Sequence, residues 1–221
     1  MLSGNIPTGI STLTKLEYLI LNINLLSGDI PSEISELVNL RQIFLNKNQL
    51  TGSIPKEISY LTNLEILVLG SNQLTGEIPN ELSLLRKLNR LELNDNQLTG
   101  CIPKEMSELL NLNLLNLENN QLYGDIPKEL STLINLVYLK LKNNQLIGCI
   151  PCEISKLTRI MYLELEENNL SGSIPKELFE THKDRYVYLA KNYFIEENNI
   201  PEYWNVEDAF QTKPNIKSAR K

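Results

Sequence analysis

The sequence predicts an α/β solenoid, an elongated stack of short units that each contribute one strand and one helical turn. Three regularities in its 221 residues support this prediction: a periodic glycine, a periodic asparagine and a strand-like pair of leucines. A unit of about 24 residues cannot bury its own apolar face, so it must stack on its neighbours. The glycines, each followed two positions later by Ile-Pro, are Gly4, Gly28, Gly52, Gly76, Gly100, Gly124, Gly148 and Gly172.

The strand of each unit is predicted from leucines that alternate with variable residues, as at Leu67 and Leu69. This alternation is typical of a strand with one buried face. Stacked units would align these strands in parallel, about 4.8 Å apart.

An asparagine follows the strand of every unit. Its amide has both donors and an acceptor, so it can satisfy backbone groups where the chain turns away from the strand. We therefore predict a ladder of inward-facing asparagines. Its members are Asn24, Asn48, Asn72, Asn96, Asn120, Asn144, Asn168 and Asn192.

The helical turn of each unit is predicted after the Ile-Pro pair. Proline at the start and glutamate in the first turn suit a short helix, often a 3₁₀ helix, because its N-terminus favours negative charge. Stacking would align the glutamates as an acidic ridge, which neighbouring lysines partly neutralise. We interpret this ridge as a solvated surface and not as a cation site. The glutamates are Glu33, Glu57, Glu81, Glu105, Glu129, Glu153 and Glu177.

The full pattern, Leu-x-x-Leu-x-Leu-x-x-Asn-x-Leu-x-Gly-x-Ile-Pro, resembles the plant-type leucine-rich repeat. It covers seven units between Gly4 and Ser171 and a degraded eighth unit that ends near Phe194. The resemblance implies a right-handed superhelix with a parallel β-sheet on its concave side and short 3₁₀ or α turns on its convex side. Members of the family include receptor ectodomains and polygalacturonase inhibitors, which bind partners through the concave face.

The chain differs from the secreted plant proteins at its start. It begins at Met1 within a unit, without their signal peptide or disulfide-bonded cap. We therefore predict an intracellular location if the chain is complete and an extracellular one if it is a piece of a longer protein.

The sequence divides into a repeat domain, residues 1–194, and a C-terminal cap with a basic tail, residues 195–221. In the degraded unit Thr181 and Asp184 stand where leucines belong. We predict that Trp204 packs on the last open unit, helped by a helical spacing of Tyr203, Val206 and Phe210. The N-terminal unit has no such cover, so its edge is expected to fray or to associate with another chain.

Composition excludes several classes of function. A net charge of −6 argues against non-specific nucleic-acid binding, and no apolar stretch is long enough to cross a membrane. Cys101 and Cys149 lie two units apart, too far for a disulfide, and Cys149 with Cys152 is too few ligands for zinc. We predict free thiols, a reducing compartment and no cofactor or metal.

Residues that alternate with the strand leucines should face the concave surface. They form two patches, although strand propensity alone also favours such residues. Near the N-terminus lies an apolar strip of Ile20, Phe44, Ile66 and Val68, beside Tyr18. Near the C-terminus lie Tyr138, Tyr162, Tyr186 and Tyr188, with Lys140, Lys142, Glu164 and Glu166 around them.

These features predict a non-catalytic module that binds a protein of unknown identity through its concave sheet. His182 lacks a recognisable Ser or Cys partner, so we expect a surface histidine and no enzyme. Two alternatives stay open: a secreted inhibitor or recognition protein for a polysaccharide-degrading enzyme, and a purely structural spacer.

Overall fold

The structure is a computed structural model that describes residues 1–195, 200–201, 204–207 and 209. In this part of the chain, eight short strands form one parallel sheet in which neighbours along the chain are also neighbours in space. Equivalent positions of successive units are in register, as Tyr138 is with Tyr162. The strands are Tyr18–Ile20, Gln42–Phe44, Ile66–Val68, Arg90–Glu92, Leu114–Asn116, Tyr138–Lys140, Tyr162–Glu164 and Tyr186–Tyr188.

Short 3₁₀ helices lie on the opposite side of the core from this sheet. In each, the preceding proline is extended, and an apolar residue in the middle of the helix, such as Ile58, is buried. The core therefore lies between the helices and the sheet, and the predicted α/β solenoid is confirmed. The helices are Thr8–Thr12, Ser32–Glu36, Lys56–Tyr60, Asn80–Leu84, Lys104–Glu108, Lys128–Thr132 and Cys152–Lys156.

A second, narrow layer of strands begins near the periodic glycines. At Gly124 the backbone has φ +79°, and a Cβ there would lie 2.8 Å from the sulfur of Cys101 in the preceding unit. Glycine therefore serves both the turn and the close approach of the next unit. These strands are Ser3–Asn5, Leu25–Asp29, Gln49–Thr51, Tyr123–Asp125, Gln145–Ile147, Ser171–Gly172 and Tyr193–Phe194.

The asparagine ladder is confirmed. Asn96 accepts a hydrogen bond from the backbone N–H of Leu74 at 3.0 Å, and its Nδ2 donates to the carbonyls of Leu69 and Leu93 at 3.2 and 3.1 Å. The preceding residue, Asp95, has φ +53°, which turns the chain so that the amide points inward. Each asparagine thereby joins adjacent units through their main chains.

The degraded unit departs from the pattern because its helix is an α-helix, Lys176–His182. An α-helix places residues four apart on one face, so His182 follows Leu178 into the core and is only 1% exposed. The expected surface histidine was therefore wrong. Its Nε2 lies 3.2 Å from the carbonyl oxygen of Leu157, and its Nδ1 lies 2.6 Å from Oγ1 of Thr181.

Trp204 covers the last unit, as predicted. Its ring stacks on Phe179 at a centroid distance of 5.1 Å, and its Nε1 donates to the carbonyl oxygen of His182 at 3.3 Å. Tyr203, Phe210 and the basic tail lie outside the described residues. The boundary between residues 1–194 and 195–221 stays a prediction.

Candidate interaction surface on the concave sheet

Three tyrosines form a stack on the concave sheet. Parallel strands in register place equivalent side chains on the same face of successive strands, so Tyr138, Tyr162 and Tyr186 lie one above another. Their ring centroids are 5.3 and 4.8 Å apart, with interplanar angles of 14° and 13°. The structure thus brings together the three tyrosines that the sequence predicts, as what we call the tyrosine stack.

Stacking covers the face of the middle ring and leaves ring edges and hydroxyl groups accessible. Tyr186 is 44% exposed, and Tyr138 and Tyr162 are half-buried. None of the three hydroxyl groups is hydrogen-bonded to another described residue. The tyrosine stack therefore offers apolar edges with a row of unused donors, a combination that suits a protein interface.

Tyr188 lies two residues beyond the stack, in register with Glu164. Burial, followed by the negative charge of Glu164, raises the pKa of its phenol above the ordinary value. Tyr188 therefore stays protonated at neutral pH and can donate a hydrogen bond.

Ion pairs between successive strands flank the tyrosines. Lys140 Nζ lies 2.8 Å from Oε1 of Glu164, and Lys142 Nζ lies 3.5 Å from Oε1 of Glu166. Burial alone would lower the pKa of Lys140, but the hydrogen bond and charge of Glu164 raise it overall. Lys140 therefore stays charged, and its ammonium group is held in place by Glu164.

Two carboxyl groups in this region carry an electrostatic penalty. Burial, as the largest cause, raises the pKa of both Glu118 and Glu166. In addition, Oε2 of Glu166 is buried without a hydrogen-bond partner among the described residues. The contacts of Glu166 therefore do not fully replace the solvation that its carboxylate loses on burial.

The apolar strip near the N-terminus is less continuous than the sequence suggests. Ile20 is 60% exposed, whereas Phe44 and Ile66 are half-buried and Val68 is only 4% exposed. Val68 was expected to present its side chain, and the structure corrects this. Its short side chain stands between two longer register partners, Phe44 and Glu92.

Tyr18 extends the strip at the edge of the sheet and is 46% exposed. The first unit also exposes Leu2 and Leu13, by 56% and 54%. Association through this edge stays a prediction.

Other candidate groups do not assemble into a site. Within the described residues, no three His, Cys, Asp or Glu side chains come close enough together to hold a metal ion. Cys101, Cys149 and Cys152 are exposed free thiols. No described helix is both long enough and apolar enough to cross a membrane.

The periodic pattern matches the Leucine Rich Repeat family, at residues 39–61, 63–85, 87–109, 111–133 and 135–157. These five segments make up more than half of the chain. No curated protein matches the sequence.

Several solved structures of plant receptors have the same fold. The plant peptide hormone receptor RGFR1 in complex with RGF2 is 37% identical, with a TM-score of 0.83 over 87% of this chain and 31% of the receptor chain. The Arabidopsis receptor kinase HAESA, in complex with the peptide hormone IDA and the co-receptor SERK1, is 44% identical. Its TM-score is 0.77, over 80% of this chain and 29% of the matched chain. The chain spans about a third of the length of these receptor structures.

A plant ice-binding protein is also similar. It is 30% identical, with a TM-score of 0.69 over 88% of this chain and 70% of that protein.

Proposed function

We propose that this chain, which belongs to the leucine-rich repeat family, is a non-catalytic protein-interaction module that binds its partner through the concave sheet. The tyrosine stack is the centre of the proposed contact, with Tyr188 and the flanking lysines and glutamates at its rim. The partner is a protein or peptide segment that accepts hydrogen bonds from phenol groups and packs against their ring edges.

The observation that carries this proposal is the geometry of the tyrosine stack. Rings at 5.3 and 4.8 Å hold one another in a fixed arrangement before any partner arrives. A partner therefore gains rigid apolar area without the entropic cost of ordering flexible side chains. Free hydroxyl groups on an otherwise well-paired surface add directional hydrogen bonds.

The rim ion pairs support the same proposal in another way. Lys140 and Glu164 bond each other at 2.8 Å, so their charges have fixed positions on the surface. Fixed charges contribute more to selecting a partner and to the association rate than to affinity. Lys142 with Glu166 repeats the arrangement one column further along the sheet.

Similar structures support a protein or peptide as the ligand class. Two of the receptor ectodomains are complexes with a peptide hormone, and one of these also contains a co-receptor. This chain is about a third of their length, so the identity of their ligands is not transferred to it.

The proposal has no catalytic component. His182 is buried and bonded within the core, and the carboxylates of the concave sheet are paired with lysines or distributed over several strands. General acid–base catalysis requires a positioned group that can reach a substrate, which buried His182 does not provide.

The test compares proteins captured from lysate of the source cells by the wild-type chain and by the Tyr162→Ala/Glu164→Ala variant. We expect at least one captured protein to be lost with the variant. Tyr123→Ala is the matched control, because Tyr123 is 49% exposed on a different strand layer and should retain that protein.

The two other functions predict different outcomes. A structural spacer predicts that the double variant retains every captured protein, which would contradict the proposal. An inhibitor of a polysaccharide-degrading enzyme predicts that the protein lost with the variant is such an enzyme, which would identify the partner of the proposed surface.

A further inference from the structure

A second exposed surface lies at the C-terminal ends of the 3₁₀ helices, away from the concave sheet. In six successive units the residue after the helix is a buried leucine with φ between −76° and −82° and ψ between 56° and 61°. These angles define an inverse γ-turn centred on the leucine. The leucines are Leu37, Leu61, Leu85, Leu109, Leu133 and Leu157.

Backbone hydrogen bonds close five of these six turns, those from Leu61 to Leu157. The N–H of Leu110 donates to the carbonyl of Glu108 at 2.9 Å, and that of Ile134 donates to Thr132 at 2.8 Å. The residues that immediately precede and follow the six leucines are all exposed. We call this continuous row of paired positions the turn ridge.

The turn ridge carries one large exposed apolar side chain in each of five successive units. Val38, Tyr60, Leu84, Leu110 and Ile134 are 52%, 65%, 51%, 54% and 58% exposed. Three of them follow their leucine and two, Tyr60 and Leu84, precede theirs, so in stacked units the five lie along the same line of turns. Exposed apolar side chains in adjoining units mark contact surfaces more often than singly scattered ones do.

Charges on the turn ridge have opposite signs at its two ends. Glu36 lies in the first of the six units and Lys156 in the last. In the two middle units, Arg86 pairs with Glu108 at 3.5 Å. If a second copy of the ridge is laid antiparallel to the first, each acidic residue of one copy therefore lies opposite a basic residue of the other.

We propose that the turn ridge binds a second copy of this chain, antiparallel and related to the first by a two-fold axis. In this arrangement Glu36 faces Lys156 of the other copy, Tyr60 faces Ile134, and the Leu84 unit faces the Leu110 unit. A two-fold contact requires a self-complementary surface, and both the apolar row and the charges meet that requirement.

This dimer goes beyond the proposed function, because it leaves the concave sheet of both copies free. The inference is also separate from association through the N-terminal edge, where Leu2 and Ile20 are exposed. Charge substitutions on the turn ridge distinguish the two, since none of them changes that edge.

The test is a charge swap, measured by sedimentation velocity over a wide range of concentrations. Wild type is expected to show a concentration-dependent dimer. Glu36→Lys and Lys156→Glu are each expected to weaken self-association by about tenfold or more, because each creates two like-charge contacts in the dimer. An equimolar mixture of the two variants should recover the wild-type affinity, since both charge contacts of the mixed dimer are then attractive.

The apolar contribution is tested with a pair of isoleucines. Ile134→Glu should abolish the dimer, whereas Ile147→Glu, at a similarly exposed isoleucine on another layer, should leave it unchanged. Circular dichroism of each variant checks that it is folded. A wild type that is monomeric throughout, a dimer insensitive to Ile134→Glu, or a mixture that fails to recover affinity would each overturn the proposal.

Discussion

Asn96 lies one unit beyond Leu74 and accepts the hydrogen bond of its backbone N–H at 3.0 Å. The same amide donates to carbonyl oxygens of its own unit and of the preceding one. A single buried side chain thus satisfies main-chain groups in two units. Stability in this protein consequently depends on contacts between neighbours, as expected of a solenoid.

Replacing Asn96 by alanine should be strongly destabilising. It leaves the buried N–H of Leu74 without its partner, whereas the carbonyl of Leu69 keeps its hydrogen bond from Asn72, so we expect a loss of about 2 kcal/mol in the free energy of unfolding. Urea denaturation measures this loss. Gln97→Ala is the control, because its side chain is exposed, and it should change stability by less than about 0.5 kcal/mol. Equal effects of the two substitutions would contradict the role of the ladder.

Alanine substitutions at two glycines allow the cost of backbone strain to be measured separately from the cost of a steric clash. At Gly76, φ is +77° and an added Cβ would meet Ser53 Cβ at 3.4 Å, an ordinary contact. Gly76→Ala should therefore cost about 1–2 kcal/mol from strain alone. At Gly124 an added Cβ would lie 2.8 Å from the sulfur of Cys101, so the exposed Cys101 side chain must also move and Gly124→Ala should cost slightly more.

Removing the sulfur tests this explanation. In a Cys101→Ala background, the cost of Gly124→Ala in urea denaturation should fall to that of Gly76→Ala. A cost that does not change in this background would exclude the clash as its cause.

His182 should make the fold sensitive to mild acid. Burial lowers the pKa of His182 in the folded state, and nearby Arg185 lowers it further, although the carbonyl of Leu157 acts in the opposite direction. The unfolded chain, with a histidine pKa of about 6.5, binds the proton more readily. The contribution of His182 is therefore complete above about pH 6.5 and is lost as the pH falls towards the folded pKa.

The measurement compares urea midpoints of wild type and His182→Gln at neutral and mildly acidic pH. Wild type should lose more stability on acidification than the variant, since other titrating groups are common to both. Parallel pH profiles would show that His182 is not desolvated in the fold.

Glu166 should have the opposite effect on the pH dependence of stability, because it destabilises the fold at neutral pH and not in acid. Burial raises the pKa of Glu166, so its ionised form is disfavoured in the folded state and its contribution to stability falls as the pH rises through that pKa. We expect Glu166→Gln to stabilise the protein by about 1 kcal/mol at neutral pH, with no gain below about pH 4. Thermal unfolding at the two pH values measures the difference.

The neighbouring glutamate provides the control for this prediction. Glu167 is more exposed and bonds Lys191 at 3.0 Å. Glu167→Gln should therefore give no stabilisation. A similar gain from both substitutions would mean that general charge repulsion, and not the buried oxygen of Glu166, is responsible.

Most of the fold could be predicted from the sequence because each unit repeats the same physical solution. Leu67 and Leu69 identify the strand, and Asn96 and Gly124 mark the turns, since few other residues can satisfy those positions. The tyrosine stack also follows from the register, because Tyr138, Tyr162 and Tyr186 are equivalent positions in adjacent units.

Features that depend on a local change of period or on neighbouring side-chain lengths could not be predicted in this way. His182 is buried because the 3₁₀ turn becomes an α-helix there, and the spacing of Leu178 and His182 was the available signal. Val68 is buried because of the residues beside it in other units, which its own position in the repeat does not reveal. The turn ridge was missed because its exposed apolar residue precedes the leucine in some units, as Tyr60 does, and follows it in others, as Val38 does, so no single position of the repeat reveals it.

Hydroxyl-radical footprinting of the chain with and without its captured partner tests the central claim most directly. If the concave sheet is the binding surface, the partner should protect Tyr138, Tyr162 and Tyr186 from oxidation. Tyr123, on another strand layer, should stay as reactive as in the free protein. Protection of Tyr123 with an unprotected tyrosine stack would contradict the account.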